Sequence, residues 1–235
     1  MQRFCAHCKR REDTFTKGYR WRNFANHTRN DSSAIFEICA LTKPFTAMVI
    51  LKLQEEGKLS VNDPLDKYFP DYPDGNKTKL KNLLDPTSGI YNYTIGIGKE
   101  DSAIVCHPVK KRLIMNVFYH KPLDFAPGTK FKYDNSGYYL LGMIIEKVTG
   151  KPYEQVVRKL IFDPLHMDHS GFDILNLQDT SKATDYDKLS ASQQVISHPW
   201  DSTVSYAAGG IYSTSGDLYK WAKAIADKQI LTENS

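Results

Sequence analysis

The chain has 235 residues, 41% hydrophobic and 12% aromatic, enough to bury a sizeable core as one domain or a lobed pair. Its 31 basic and 27 acidic side chains leave a net charge of only +4, and the one basic run, Lys110-Lys111-Arg112, lacks the interleaved aromatics of a nucleic-acid site and reads as a solvated face. No stretch reaches the roughly eighteen apolar residues of a membrane span, and the segment after Met1 lacks the apolar region of a secretion signal, so the sequence as it stands is expected in the cytoplasm.

In chain order, Cys5-Ala6-His7-Cys8 first invites a zinc reading, but no second Cys/His pair at ligand spacing follows, and neither a metal nor another cofactor is expected. The remaining cysteines, Cys39 and Cys106, suggest no disulfide framework in a chain of this size. Thr14 to Tyr19 is a short strand candidate, and Arg20 to Ser33, rich in Asn, Asp and Ser, reads as a loop. From Ala40 to Glu56 the pattern is helical and apolar almost all round, as a central buried helix requires, with Gly57 as its stop. Pro64, Pro70 and Pro73 punctuate a connection, Lys79 to Leu84 forms a short helix, and Val109 to Tyr119 another. A turn at Ala126-Pro127-Gly128-Thr129 leads to a helix from about Gly137 to Val148 closed by Gly150. Pro152 opens the next helix, whose Tyr153, Val156, Val157, Leu160 and Ile161 share one face, and Pro164 ends it. The last helix starts near Thr214, with Asp217 at capping-box spacing. Outside the N-terminal region, Ala208 to Tyr212 is the remaining strand candidate, so the sheet is expected to be partial.

Two segments carry chemistry. In Phe36-Glu37-Ile38-Cys39-Ala40-Leu41-Thr42-Lys43, Ala40 and Lys43 stand three apart at a helix start, a spacing that puts side chains on one face about 5–6 Å apart at Cβ. A helix N-terminus favours developing negative charge, and a lysine there supplies positive charge or, when neutral, a base. The second segment is Tyr133-Asp134-Asn135, between Pro127-Gly128-Thr129-Lys130-Phe131 and Ser136-Gly137-Tyr138. With Thr87-Ser88-Gly89-Ile90, Thr149-Gly150-Lys151-Pro152-Tyr153, Phe162-Asp163-Pro164-Leu165 and Gly209-Gly210-Ile211-Tyr212-Ser213-Thr214, these segments resemble the serine β-lactamase and penicillin-binding-protein family from about Thr14 to the end. The resemblance implies an α+β fold, a helical lobe packed on a partial antiparallel sheet. It also implies acyl transfer to serine and hydrolysis of a β-lactam, a D-alanyl peptide or a small ester. In family terms Ala40 stands at the nucleophile, Lys43 and Tyr133 at the proton carriers, and Asn135 at a substrate-binding amide.

The departures are as informative. Ala40 has no hydroxyl, so covalent catalysis is lost there and only its backbone N–H remains as an oxyanion donor. Cys39 stands where the family has a glycine. It reads as a small packed residue rather than a substitute nucleophile, because one step along a helix turns a side chain by about 100°. Arg20 and His166 also stand at turn positions where glycine is usual, and Asp85-Pro86 replaces a usual Thr-His. The family's third signature strand, which supplies a second oxyanion donor, is not seen before Ser235. Residues 1–235 are therefore expected to be one incomplete domain lacking the family's C-terminal strands. His166 and His169, three apart, bracket a turn and do not read as a zinc site. Three readings follow: an inactive relative that still binds a β-lactam, peptide or ester, an engineered loss of serine from a working hydrolase, and an assembly protein that self-associates through an exposed sheet edge.

Overall fold

The computed structural model describes residues 3–9, 12–97, 105–190, 192–197 and 199–232. It opens with an antiparallel hairpin, β1 (Arg3–Lys9) and β2 (Glu12–Tyr19), in which Arg3 faces Tyr19. Cys5, His7 and Cys8 fall on β1, and their side chains lie outside the described residues, as does His198. The stretch expected as a plain loop contains a second small hairpin, β3 (Trp21–Asn23) with β4 (Thr28–Arg29), where Asn23, Asn26 and Asp31 hydrogen-bond nearby backbone N–H groups. Polarity marked the turns and hid two strands too short to show alternation.

β5 (Phe36–Glu37) leads into a tight 3₁₀ turn at Cys39–Leu41 and then helix α1 (Thr42–Glu55). Phe45, Val49, Ile50 and Leu53 are fully buried, and so are Thr42 and Thr46, which makes α1 the axis of the core. Two short helices follow, α2 (Leu80–Leu84) and α3 (Tyr93–Gly96), then α4 (Lys111–Phe118). The longest partner of α1 is α5 (Ser136–Thr149), buried along most of its length and closed by Gly150 at φ 66°, a left-handed position that glycine takes without strain. α6 (Tyr153–Val157) starts after Pro152 and widens into a π-helical turn over Arg158–Phe162 before Pro164. A third antiparallel pair, β6 (Tyr186–Leu189) and β7 (Gln194–Ile196), precedes α7 (Ser202–Gly209). The chain then runs through β8 (Tyr212–Ser213), antiparallel to β5, into α8 (Ser215–Ala226), whose Thr214 cap accepts from the Asp217 N–H at 3.2 Å.

The strand expected over Ala208–Tyr212 is thus corrected at its start: Ala208 and Gly209 close α7, and pairing begins at Tyr212. Asp201 caps α7 by accepting from the Thr203 N–H at 2.8 Å. Four tyrosines brace the core around this helix. Tyr93 and Tyr139 donate to the carbonyls of Val204 and Thr203, Tyr153 meets the Thr46 hydroxyl at 2.6 Å, and Tyr206 packs 4.9 Å from Tyr139. Buried tyrosines stabilise best with their hydroxyls satisfied, and the bonds of Tyr93, Tyr139 and Tyr153 tie each of those three rings to one position. Phe45 stacks on Trp221 at 4.2 Å, docking α8 on α1. Gly142 on α5 admits α7 closely, since a Cβ there would lie 2.5 Å from the Ala207 side chain and 2.6 Å from the Tyr206 ring. Among the described residues no helix is long and apolar enough to cross a membrane.

Candidate functional site

The start of α1 meets the N-terminal end of α5 and the C-terminal end of α7, and the side chains expected to share a site do converge there. Lys43 is almost fully buried. Its ammonium donates to Tyr133 Oη at 2.9 Å, Asn135 Oδ1 at 2.7 Å and the Ala208 carbonyl at 2.8 Å. An ammonium has three N–H groups, so all three are engaged. The Tyr133 hydroxyl also donates to Asn135 Oδ1 at 3.2 Å, closing a triangle of three residues from two distant segments. The Tyr133 and Tyr138 rings lie 4.9 and 5.5 Å from the Lys43 nitrogen, within cation–π range.

Local chemistry holds each member in place. Asn92 Oδ1 accepts from the Asn135 backbone N–H at 3.2 Å, and the Asn135 amide donates to Thr94 Oγ1 at 3.3 Å. Ser136 accepts from the Tyr93 N–H and donates to the Tyr91 carbonyl, locking the start of α5 to the segment before α3. Asp134, 2% exposed, accepts from the Gly137 N–H at 2.6 Å and so caps α5 from inside the core. On the α7 side, Tyr206 sits at φ 41° and ψ −133° inside the helix, a costly backbone for a bulky residue. Beyond that break the carbonyls of Ala207 and Ala208 accept from Thr46 Oγ1 (2.7 Å) and Lys43.

Burial pushes the Lys43 pKa down to about 8, against the pull of the Asp134 carboxylate and Cys39. Burial pushes Asp134 up to about 6, with the Gly137 N–H and Lys43 opposing. The Tyr133 phenol is raised by burial, then by Asp134. At neutral pH the arrangement is therefore a charged lysine beside a neutral phenol that both accepts and donates.

Ala40 lies in the 3₁₀ turn one step before α1, exposed to a cleft of about 340 Å³. Glu37, Tyr93, Thr94, Tyr133, Asn135 and Trp200 contribute to its wall, with Ser205, Ala208 and Gly209 from α7. Cys39 also lines the cleft, at φ 47°, where an L side chain is strained. The residue expected as small and packed is instead exposed, and its thiol is pushed up to about 11 by partial desolvation and by Glu37 and Asp185, more than Lys43 pulls it down. That is the reverse of what a reactive thiolate needs. Arg20 (φ 63°) and His166 (φ 51°), the other two positions where glycine is usual, have left-handed backbones as well. His169 serves the packing of α8, its main-chain N–H donating to Asp217 Oδ2 at 2.9 Å.

Glu37, Asp185, Asn92, Thr94, Ser205 and Trp200 were not anticipated as site residues. They arrive from separate loops and element ends, and only Asp201 before the Ser-Thr pair, a cap signal, pointed to α7 at all.

A lysine in the first turn of a central buried helix, facing a Tyr-x-Asn element at the mouth of a cleft, defines a β-lactamase/transpeptidase type of α+β fold. The family profile described as Beta-lactamase matches residues 6–235, and the chain belongs to that family of serine hydrolase-like proteins. PbpX of Bacillus subtilis (strain 168) is 32% identical over 219 residues, covering 93% of this chain and 53% of its own length. Protein flp of Staphylococcus aureus (strain COL) is 33% identical over 220 residues, covering 88% of this chain and 42% of flp. The chain thus spans about half the length of these curated relatives. Among solved structures, the D-amino acid amidase of Ochrobactrum anthropi SV3, complexed with L-phenylalanine amide, superposes with a TM-score of 0.85 at 26% identity, covering 97% of this chain and 66% of that one. The octameric penicillin-binding protein homologue of Pyrococcus abyssi gives 0.80 at 29% identity, covering 95% and 52%.

Proposed function

We propose that the cleft binds small acyl compounds of the family's kinds, a β-lactam, a D-alanyl peptide or a small ester or amide, without forming an acyl-enzyme. The observation that carries this reading is the intact Lys43–Tyr133–Asn135 triangle beside a residue, Ala40, that has no hydroxyl. In this reading Asn135 and the cleft wall hold the ligand's amide, while Lys43 and Tyr133 keep the positions of proton carriers with no nucleophile to serve. Losing a nucleophile of this type costs several orders of magnitude in rate, on the order of 10⁶ in a well-studied serine hydrolase. Cys39 does not replace it, being strained in backbone and held as a neutral thiol.

The test is intact-mass analysis after incubation with a chromogenic cephalosporin and a nitrophenyl ester, alongside ligand-observed NMR for binding. The chain as given is expected to show saturable binding and no adduct; a covalent adduct would overturn the reading. Ala40→Ser asks how much machinery remains. We expect no adduct there either, because the missing hydroxyl is accompanied by the strained Cys39 turn, whereas an adduct would mean that one missing oxygen is the whole lesion.

Self-association through a sheet edge is the second reading. Each sheet among the described residues has only two strands, although isolated bridges to Gly171 and Lys182 border the β5–β8 pair, and one structural neighbour is octameric. Light scattering decides it: a monomer across a wide concentration range would count against assembly.

A further inference from the structure

We propose that the cleft selects ligands bearing an ammonium group, and that the Glu37 carboxylate, backed by Asp185, receives it; the inference rests on the ligand-binding reading above. Glu37 sits on β5, two residues before Cys39, and lines the cleft. Asp185 is brought beside it by main-chain bonds. The Ile35 N–H donates to the Ser181 carbonyl and the Ala183 N–H to the Ile35 carbonyl, both at 2.9 Å, so residues 181–185 run alongside 35–37. The Asp185 carbonyl in turn accepts from the N–H of Ser197, another residue of the cleft wall, at 2.9 Å.

Both carboxylates are half-buried, and neither takes a hydrogen bond or an ion pair from any described residue. Lys182, whose charge favours the ionised form of Asp185, makes no hydrogen bond to it and donates one ammonium N–H to the Leu175 carbonyl at 3.2 Å. This sets the pair apart from Asp134, which is deeper yet has the Gly137 N–H and a Ser88 contact to hold its charge. Burial, reinforced by Asp185, accordingly pushes Glu37 up to about 7, and burial raises Asp185. A partly desolvated carboxylate with a like-charged neighbour and no donor is costly by itself, and a bound cation removes that cost.

The rest of the wall points the same way. Among the described lining residues Glu37 is the only one with a carboxyl side chain, and Lys43 has no N–H left for a ligand anion. An ammonium would meet Glu37, whose charge Asp185 reinforces from behind the wall, with the Trp200 indole lining the same space.

The experiment compares two compounds that differ in one group, N-(2-aminoethyl)benzamide and N-(2-hydroxyethyl)benzamide, by calorimetric titration at about pH 8, where both the amine and the carboxylates are ionised. The unmodified chain is expected to bind the amine at least about tenfold more tightly, equivalent to about 1.4 kcal/mol. Glu37→Gln should bring the amine down to the affinity of the alcohol and leave the alcohol unchanged, and Asp185→Asn should give a smaller loss. Binding of both compounds without preference, or a preference that survives Glu37→Gln in a folded variant, would overturn the inference while leaving the ligand-binding reading standing. Failure of both compounds to bind would bring down the two together. If Glu37→Gln does not fold, the preference of the unmodified chain and its response to Asp185→Asn decide the matter.

Discussion

The two walls of the cleft are built to different standards. On the α5 side, Lys43, Tyr133, Asn135, Asn92 and Thr94 form a network in which the lysine's three protons each have an acceptor. On the β5 side, Cys39 holds a left-handed backbone, Ala40 presents only a methyl group, and Glu37 and Asp185 repel one another with no hydrogen-bond donor to either carboxyl group among the described residues. The difference teaches that, in the reading proposed above, the missing hydroxyl at Ala40 is accompanied by other changes on the same wall. The polar framework around the lysine is part of the core, because α1, α5 and α7 are hydrogen-bonded through it. The turn at Cys39–Leu41 has no comparable side-chain network and carries two of the departures from the family, Cys39 and Ala40.

Three measurements sharpen that contrast, beginning with the largest effect. Asp134 has its pKa raised by burial from 3.8 to about 6, so the folded state prefers its protonated form. Its contribution is therefore fully present below about pH 4 and is lost as pH rises through 6. The loss amounts to at most roughly 3 kcal/mol, since a tenfold change in an acid dissociation constant is worth about 1.36 kcal/mol. Urea denaturation at a series of pH values should show Asp134→Asn losing clearly less stability than the unmodified chain between pH 4 and pH 6, since Asn can still accept from Gly137. Equal slopes would mean that the carboxylate is solvated and the α5 wall looser than its hydrogen bonds imply. Next, Thr46→Val removes the partner of Tyr153 and the donor to Ala207 while keeping the volume, and should destabilise by about 2 kcal/mol. A neutral result in thermal unfolding would show that this framework is not holding α1 to α7. The smallest effect has the opposite sign. Cys39→Gly relieves a positive φ on the β5 side and should stabilise by about 1 kcal/mol. A loss of stability there would mean that the cysteine side chain packs usefully and that this wall is better built than its backbone indicates.

The parts legible in the sequence were those with long periodicity or fixed chemistry. The runs Thr42–Glu55 and Ser136–Thr149 declare themselves by apolar residues and by Gly57 and Gly150 at their ends. Lys43, Tyr133 and Asn135 were placed together by resemblance, and their mutual distances agree with it. The glycine positions occupied by Arg20 and His166 were readable as strained turns, and both have positive φ; Cys39, read as a small packed residue, has a positive φ as well. What escaped was short or assembled from afar. Ser202–Gly209 is eight residues with Thr203, Val204 and a broken backbone at Tyr206, too little for a helical period to emerge. Glu37 and Asp185 are 148 positions apart in the sequence, and only the main-chain bonds of Ile35 bring their segments side by side. No local pattern records a neighbourhood made that way.

The meshing of Gly142 with Ala207 reaches further than packing. The next carbonyl along, that of Ala208, is the third acceptor of the Lys43 ammonium, so the separation of α5 from α7 sets how well that charge is solvated by protein. A single methyl group added at position 142 would wedge the two helices apart, 2.5 Å being far inside contact distance, and would withdraw that carbonyl from the lysine. The basicity of Lys43 is thereby adjustable from a residue that does not border the cleft, which gives this scaffold a remote tuning screw for its most important cation.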